Sequence, residues 1–254
     1  IKERLFVYPT SRKILSVLSA TDNAIVQKTI TIDSFFNQAF FIKDEKKVNA
    51  HQRVLLLKQA MQGIKKDIGL GADFKKNFLY FLKNSSFVFK FFDEVFAEKR
   101  SLDEIELHDI EGEFIDYIDT LKEVHAAYKI LLGKYHLYDQ STISEYNINE
   151  NFLSSFSGIE FVLEGYLSKR ELDICIQCSQ VTPLFIRLYA TKYNEKMLSY
   201  FDYDFIKNTE YLYDLARNEV IWQAPIMQSK DIFCESVKER IGQCSFVQKK
   251  IHEY

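Results

Sequence analysis

The chain has 254 residues and a net charge of −3, and this charge neither suggests nor excludes nucleic acid as a partner. It is rich in Phe and Tyr, with 22 and 15 copies, and poor in Gly and Pro, with 8 and 3, which favours a helix-rich globular fold over turn-rich β architecture. No stretch reaches the roughly 18 to 20 apolar residues of a membrane span, so we expect no membrane segment and a cytoplasmic location. The length predicts one large α/β domain or a domain with an insertion.

The first predicted strand is the apolar run at residues 5–8, and a helix follows it. Thr10 is the predicted N-cap of this helix, and its inner face is expected to hold Ile14, Leu15 and Leu18. The sequence therefore begins with a strand-to-helix junction, the place where a nucleotide-binding α/β domain would hold a phosphate group.

The loop at this junction differs from a phosphate-binding loop. Residues 8–13 contain no glycine, and the pattern G-x-x-x-x-G-K-[ST] is absent. Because the backbone cannot fold tightly around a phosphate without glycine, the sequence does not predict nucleotide binding here. Arg12 and Lys13 can be read as contacts for an anion or as solvated residues of the first helical turn, and the second interpretation is favoured.

A second strand is predicted at residues 26–30, with Thr31 as the N-cap of a second helix. Asp33 suits the positive end of the helix dipole, and Ile30 and Phe35 are placed to form a hydrophobic staple. A strand end followed by a capped helix also suits contact with a nucleic-acid backbone. Capping alone accounts for Thr31, so the structural interpretation is favoured and contact with nucleic acid is the alternative.

The middle of the chain, residues 49–156, has long helical periodicity and few strand signals. Apolar residues at helical spacing predict helices near residues 54–61, 78–96 and 115–132, and the phenylalanines in them are interpreted as core. Residues 142–145, with the sequence Thr-Ile-Ser-Glu, form a capping-box pattern that predicts a fourth helix. This region is expected to be a helical insertion between two strand-bearing segments.

The most strongly specified stretch is residues 159–171. A buried strand is predicted at 161–163, and Gly165 would permit a sharp exit from it. Ser168 and Glu171 then match a capping box at the start of a helix. This stretch is therefore expected to turn from a parallel strand directly into a helix.

The helix after this turn is expected to end before Pro183, and a strand is predicted at residues 184–189. A polar, tyrosine-rich segment follows, then strands near 220–222 and 230–234, and a final helix from residue 235. The four cysteines include one C-x-x-C pair within the first of these helices, and they are Cys175, Cys178, Cys234 and Cys244. Because helical positions three apart share a face, the pair is interpreted as core, with a zinc site as the less favoured alternative.

Four blocks of the sequence resemble the N-terminal region of AddB-type subunits of bacterial helicase–nuclease complexes, the group related to RecB and RecC. The blocks are residues 5–12, 29–36, 161–171 and 235–251. The positions that match the motifs of this family are Gly165, Tyr166, Glu171 and Gln243. The resemblance extends over nearly the whole chain, although its motifs are short.

This resemblance implies a P-loop-NTPase-like, superfamily 1 helicase-like parallel sheet with a large all-helical insertion. Residues 1–48 and 157–228 would form the α/β lobe, residues 49–156 the insertion, and residues 229–254 the truncated start of a second lobe. The chain would then be a fragment. The full-length protein would carry a PD-(D/E)xK nuclease domain that uses Mg²⁺ as its cofactor and acts as an exonuclease.

The chain departs from active members of the family at two places. The loop of Thr10, Ser11, Arg12 and Lys13 would be a vestige of the phosphate loop. Where an active motor has an Asp-Glu pair, this chain has Glu164 followed by Gly165, so one carboxylate of the pair is missing. We therefore expect no catalytic residues, bound nucleotide, cofactor or metal in this part of the protein.

The expected function is a non-catalytic scaffold in the repair of double-strand breaks by recombination. It would bind the DNA backbone and a partner motor subunit of the AddA type. The residues expected to contact DNA are Thr29, Thr31, Ser34, Phe35 and Arg12. Two alternatives stay open, an active ATP-dependent DNA helicase fragment and a protein-interaction module that does not bind DNA.

Overall fold

The computed structural model describes residues 2–20, 27–64, 78–105 and 112–226. The chain divides into two compact units, Ile1–Ala224 and Pro225–Tyr254, and the described residues belong almost wholly to the first. The strands of this part are β1 (Arg4–Tyr8), β2 (Lys28–Thr31), β3 (Phe40–Phe41), β4 (Lys46–Lys47), β5 (Leu137–Tyr138), β6 (Asn147–Ile148), β7 (Gly158–Val162), β8 (Leu184–Ala190), β9 (Thr209–Asp214) and β10 (Glu219–Pro225).

The helices of the same part are α1 (Ser11–Ser19), α2 (Ile32–Ala39), α3 (Ala50–Gln62), α4 (Phe78–Ala97), α5 (Gly112–Lys134), α6 (Glu150–Leu153), α7 (Lys169–Ser179) and α8 (Glu195–Leu198). Short 3-10 turns lie at Leu102–Glu104 and Gln140–Thr142. Among the described residues, no helix combines the length and the apolar character that crossing a membrane requires.

One mixed sheet of mostly parallel strands organises the fold. Its six strands lie in the order β10-β9-β8-β7-β1-β2. The pairs β1 with β2, β1 with β7 and β7 with β8 are parallel, whereas β9 runs antiparallel to β8. The α/β class and the predicted parallel pairing of the four main strands are therefore confirmed. The order β2-β1-β7-β8 corresponds to the 2-1-3-4 order of doubly wound sheets such as flavodoxin-like ones.

The main hydrophobic core lies on one face of this sheet. Because side chains alternate along a strand, each parallel strand sends every second residue to this face, and α2 and α7 cover it. The fully buried strand residues of this core are Leu5, Val7, Ile159, Phe161, Leu184, Ile186, Leu188 and Ala190. Phe35 of α2 meets Phe161 edge to face at 4.8 Å between ring centroids, which fixes α2 against the centre of the sheet.

The opposite face of the sheet carries a buried carboxylate. Glu160 is 3% exposed and accepts hydrogen bonds from Arg4 at 3.1 Å and from Arg187 at 2.9 Å. Arg187 also donates to Glu210 of β9 at 3.3 Å. Since a buried charge is tolerated only when it is paired, this network ties β1, β7, β8 and β9 together through their side chains as well as their backbones.

A second hydrophobic core is built mainly by α3, α4 and α5. Its most deeply buried members are Leu57, Phe81, Val88, Phe92, Val124, Tyr128 and Leu132. The predicted helices of this region are therefore present, and Phe81, Phe89 and Phe92 are core residues as expected. Phe87 is 60% exposed, so it does not belong to this core.

A buried carboxylate also holds the second core together. Asp139 is 1% exposed and accepts from Arg53 Nε at 2.5 Å, from Tyr128 Oη at 2.9 Å, and from the backbone and hydroxyl of Ser141 at 3.0 Å each. Burial lowers the pKa of Arg53, but the hydrogen bonds and charges of Asp93 and Asp139 outweigh this effect. The pKa of Arg53 is therefore raised above its ordinary value. Asp139 thus links α3, α5 and the turn after β5.

Two local predictions are wrong. Residues 142–145 do not begin a helix, because Asp139 caps the 3-10 turn Gln140–Thr142 and the chain then runs on to α6, which Asn149 caps. Leu15 is 66% exposed, and α1 has no buried residue at all. Leu15 therefore does not belong to the expected inner face of α1, whereas Ile14 and Leu18 are half-buried. The expected strand at 230–234 and the expected final helix lie outside the described residues, as do Cys234, Cys244 and Gln243.

The two described cysteines belong to the main core. Cys175 and Cys178 lie on the buried face of α7, as the spacing of the pair predicts, and both are free thiols. Burial raises the pKa of Cys178 to about 12 and raises that of Cys175 well above its ordinary value. Thiols held in this protonated state behave as small core hydrophobes and are poor metal ligands.

Candidate functional site

The candidate site lies where the sheet topology reverses. β1 connects through α1 to β2 on one side of the sheet centre, and β7 connects through α7 to β8 on the other side. In open α/β sheets, ligands bind beyond the carboxyl ends of the strands at such a switch point. The residues that follow Tyr8 of β1 and Val162 of β7 therefore form the candidate site.

The turn from β7 into α7 has the predicted capping box. The Ser168 hydroxyl accepts from the backbone N–H of Glu171 at 3.3 Å, and the Glu171 carboxylate accepts from the backbone N–H of Ser168 at 2.8 Å. Leu167 and Leu172 are both buried on either side of the cap, as a hydrophobic staple requires. The position of this helix start at the edge of the sheet is therefore fixed by local contacts.

Replacing Ser168 with alanine is expected to lower the free energy of unfolding by about 1 kcal/mol, the usual contribution of an N-cap side chain. Glu171→Ala should cost less, because it removes only the reciprocal half of the capping box. Urea unfolding followed by circular dichroism measures both effects, with Lys169→Ala on the same helical turn as the control. An unchanged midpoint for Ser168→Ala would show that the cap does not stabilise this helix.

Gly165 has a smaller structural role than the sequence predicts. Its φ lies outside the left-handed region, and a Cβ added to it would meet nothing within 4 Å. The exit from β7 therefore does not require glycine. Its neighbour Tyr166 is 72% exposed, so of these two residues it is the tyrosine that offers a large contact surface.

The start of α1 brings together the two residues on which a nucleotide site would depend. Thr10 caps the helix by accepting from the backbone N–H of Lys13 at 3.2 Å. The Lys13 ammonium lies 2.5 Å from the Glu164 carboxylate, which follows β7. The hydrogen bond to Glu164 raises the pKa of Lys13, so the ammonium stays charged. Ser11 and Arg12 are exposed beside this pair.

The ion pair occupies the two groups that a magnesium–nucleotide complex would use at this edge. Such a complex would need the Lys13 ammonium for a phosphate and the Glu164 carboxylate for the metal, but here the two groups neutralise each other. Within the part of the chain that the structure describes, no cluster of three or more His, Cys, Asp or Glu side chains could hold a metal ion. At the switch point, Lys13 and Glu164 are thus paired with each other, and both side chains are partly exposed.

The start of α2 lies next to the start of α1 at the same edge. Tyr8 of β1 is paired in register with Thr31 of β2, so the two helices begin side by side. Thr31 caps α2, accepting from the Ser34 backbone N–H at 3.2 Å and donating to the Ser34 hydroxyl at 2.9 Å. Thr29 and Ser34 are partly exposed. Phe35 is fully buried, so in any DNA interface it would position the helix start without touching the ligand.

A large groove opens beside this edge. It has a volume of about 1150 Å³ and lies between α2, α3, α4 and the segment from Tyr166 to Ile174. Arg170 spans it, donating to the carbonyl oxygen of Phe96 at 3.1 Å and to that of Ile143 at 2.6 Å. Burial lowers the pKa of Arg170. The groove and this arginine were not part of the sequence-based expectation, because their parts come from distant segments.

No protein-family model matches this chain, and no curated protein or solved structure matches it either. The fold itself defines the chain as an α/β protein with a mixed, mostly parallel sheet. Its switch point holds an ion pair between Lys13 and Glu164.

Proposed function

We propose that this chain is a non-catalytic, helicase-like lobe of a helicase–nuclease subunit, which binds the DNA backbone and a partner motor subunit of the AddA type. Residues 1–48 and 157–228 would form a P-loop-NTPase-like lobe in the cytoplasm, and residues 49–156 a large helical insertion. Residues 229–254 would begin a second lobe. The proposal rests on the sequence resemblance and on one structural observation.

That observation is the ion pair at the switch point. A motor lobe needs a free cation for the γ-phosphate and a free carboxylate for Mg²⁺ at this position. Lys13 and Glu164 instead lie 2.5 Å apart and satisfy each other. This ion pair supports a lobe that has the fold position of a nucleotide site but lacks the free cation and the free carboxylate that would bind phosphate and Mg²⁺. It disfavours the alternative of an active ATP-dependent helicase.

The proposed DNA contacts are the adjacent starts of α1 and α2. Helix N-termini present backbone N–H donors and positive potential, so they can hold phosphates without reading bases. Arg12 is exposed beside them and supplies a charge for the backbone. Contacts of this kind would be independent of sequence, which suits a scaffold that handles any DNA end.

Arg12→Ala is the variant that tests this interface. Binding of an oligo-dT of roughly 16 nucleotides should weaken about tenfold, and the slope of log K against log salt should fall by about 0.7, the contribution of one phosphate contact to a single strand. Fluorescence anisotropy across a salt series measures both quantities. Thr31→Val should also weaken binding, with some loss of stability because it removes the cap of α2.

Lys43→Ala is the matched control, because Lys43 is an exposed lysine beyond the far end of α2. It should leave the affinity and the salt slope almost unchanged. If Arg12→Ala and Thr31→Val left DNA binding unaltered while Thr31→Val lost stability, capping would be the whole role of Thr31 and the DNA interface would be refuted.

A second candidate function is a protein-interaction module that does not bind DNA. The observation in its favour is the exposed apolar surface of the sheet edge strand and its surroundings, since Ile221 and Trp222 of β10 are 50% and 43% exposed. The oligo-dT series distinguishes the two functions, because this alternative predicts no binding even at low salt.

A further inference from the structure

The three long helices and the sheet are built on separate hydrophobic cores. Every residue of the second core lies between Val48 and Leu137, whereas every residue of the main core lies outside residues 41–145. We call the described residues of 46–142 the helical part, and the described residues of 2–41 and 147–224 the sheet part. Because each part buries its own apolar residues, a change in their relative position would leave both cores intact.

Two short segments carry the chain from one part to the other. Residues 42–45 lead from β3 to β4, and residues 143–146 lead from the 3-10 turn Gln140–Thr142 to β6. Both segments lack helix and strand, and Asp44 in the first has a φ of 62°. In a hinge motion, a few residues of this kind between packed elements absorb the changes in the backbone dihedral angles.

The boundary between the two parts is open where the groove lies. The groove of about 1150 Å³ is lined by Phe36, Ser168 and Ile174 of the sheet part and by Val54 and Phe89 of the helical part. Interdigitated side chains resist relative motion, because any shift costs packing contacts. A boundary that contains open space in place of such packing resists the motion less.

The end of α4 is joined to the sheet part by polar contacts. Glu98 accepts from the Lys196 ammonium at 2.9 Å and from the Tyr200 hydroxyl at 3.1 Å, and Lys99 pairs with Asp173 of α7 at 3.0 Å. We call Glu98, Lys99, Asp173 and Lys196 the latch. The side chains of the latch are 35–72% exposed, so each ion pair contributes little stability and is screened by salt.

The backbone of Lys99 indicates that its side chain does more than close the helix. Its φ of 56° lies in the left-handed region. Its N–H donates to the carbonyl oxygen of Phe96 at 3.1 Å, and the N–H of Arg100 donates to that of Val95 at 3.2 Å, which is the Schellman pattern of helix ends. Glycine is the usual residue at this position because it has no Cβ. A lysine here carries a conformational cost, which its ion pair with Asp173 offsets in part.

We propose that the helical part rotates relative to the sheet part about residues 42–45 and 143–146, and that the latch holds it in the closed arrangement seen in the structure. The hydrogen bond from Arg170 to the carbonyl oxygen of Phe96 adds one contact at the same boundary. Since salt screens the ion pairs of the latch, the open population rises with ionic strength, and the groove widens as the parts separate. This inference goes beyond the proposed function and does not depend on it.

The distance between two spin labels, measured by electron paramagnetic resonance, follows this rotation in the full chain. The labels are attached at Ile130→Cys of the helical part and at Tyr193→Cys of the sheet part, because these positions are 73% and 86% exposed. The two buried thiols of α7 are protected from the labelling reagent. The other two cysteines are replaced in every sample, as Cys234→Ser and Cys244→Ser.

The labelled chain should show one dominant distance at low salt. Lys99→Gly combined with Lys196→Ala should raise the population at a second distance about tenfold, because two exposed ion pairs together contribute roughly this factor. Salt at roughly 1 M, where the Debye length is about 3 Å, should change the distances of the chain with an intact latch in the same direction. The thermal midpoint of Lys99→Gly alone should not fall, since glycine adopts the left-handed backbone without strain.

Lys207→Ala is the matched control, because Lys207 forms an exposed ion pair with Glu195 inside the sheet part. It should leave the distances unchanged. Two results would overturn the inference. One is a single, unchanged distance in the double variant and at high salt. The other is a second distance that appears together with a loss of helical circular dichroism, because the ion pairs would then hold the helices themselves. Neither DNA nor a partner subunit is present, so the outcome is separate from the tests of the proposed function.

Discussion

Asp139→Ala should lower the free energy of unfolding by about 3 kcal/mol, because it removes the more deeply buried partner of an ion pair and leaves Arg53 with one of its two carboxylates. Asp139 is 1% exposed and accepts from Arg53, Tyr128 and Ser141. Without it, the guanidinium of Arg53 keeps only Asp93, and the Tyr128 hydroxyl loses its acceptor. Urea unfolding monitored by circular dichroism and by tyrosine fluorescence measures the loss.

Asp93→Asn is the matched control for this variant. Asp93 pairs with the same arginine but is 26% exposed, so water can replace much of what is lost and the cost should be about 1 kcal/mol. If Asp139→Ala cost no more than Asp93→Asn, the buried carboxylate would not be what holds α3 and α5 together. The difference between the two variants is therefore the informative quantity.

Arg170→Ala is expected to have the second largest effect, a loss of about 2–3 kcal/mol. Its guanidinium donates to the carbonyl oxygens of Phe96 and Ile143, and hydrogen bonds from a charged donor contribute more than neutral ones. The Phe96 oxygen keeps the backbone N–H of Lys99, whereas for the Ile143 oxygen the structure gives no other partner. The same variant should loosen the groove, since Arg170 joins α7 to the end of α4.

Arg170→Lys separates charge from geometry. A lysine keeps the positive charge but cannot donate to two divergent carbonyls from a planar fork, so it should recover only part of the lost stability. Differential scanning calorimetry of the alanine and lysine variants measures this. Full recovery by lysine would indicate that the charge alone is needed, and the two directed hydrogen bonds would then have no separate role.

The elements with strong local signals could be predicted from the sequence. β1, β7, β8 and the capped starts of α1, α2 and α7 depend on residues next to each other in the chain, so their spacing reveals them. The capping box of Ser168 and Glu171 is of this kind. The same reasoning failed at residues 142–145, where the pattern is right but Asp139 closes a 3-10 turn first.

Features that join distant segments could not be predicted. Lys13 pairs with Glu164 because β1 and β7 are neighbours in the sheet. The strand order of the sheet cannot be inferred from the sequence of either segment alone. The same holds for the groove and for the contact between Arg53 and Asp139. β9 has a local signal in the buried Tyr211 and Tyr213 on either side of Leu212, but the polar residues that flank this short run hide it.

We propose that the switch point does not hydrolyse nucleotides, and an ATP hydrolysis assay with and without oligo-dT is the direct test. Phosphate release should be no faster with DNA than without it, and Lys13→Ala and Glu164→Gln should behave as the unaltered chain does, because the two residues bind each other and not a substrate. DNA-stimulated phosphate release that Lys13→Ala or Glu164→Gln abolishes would contradict this proposal and would identify the protein as a motor.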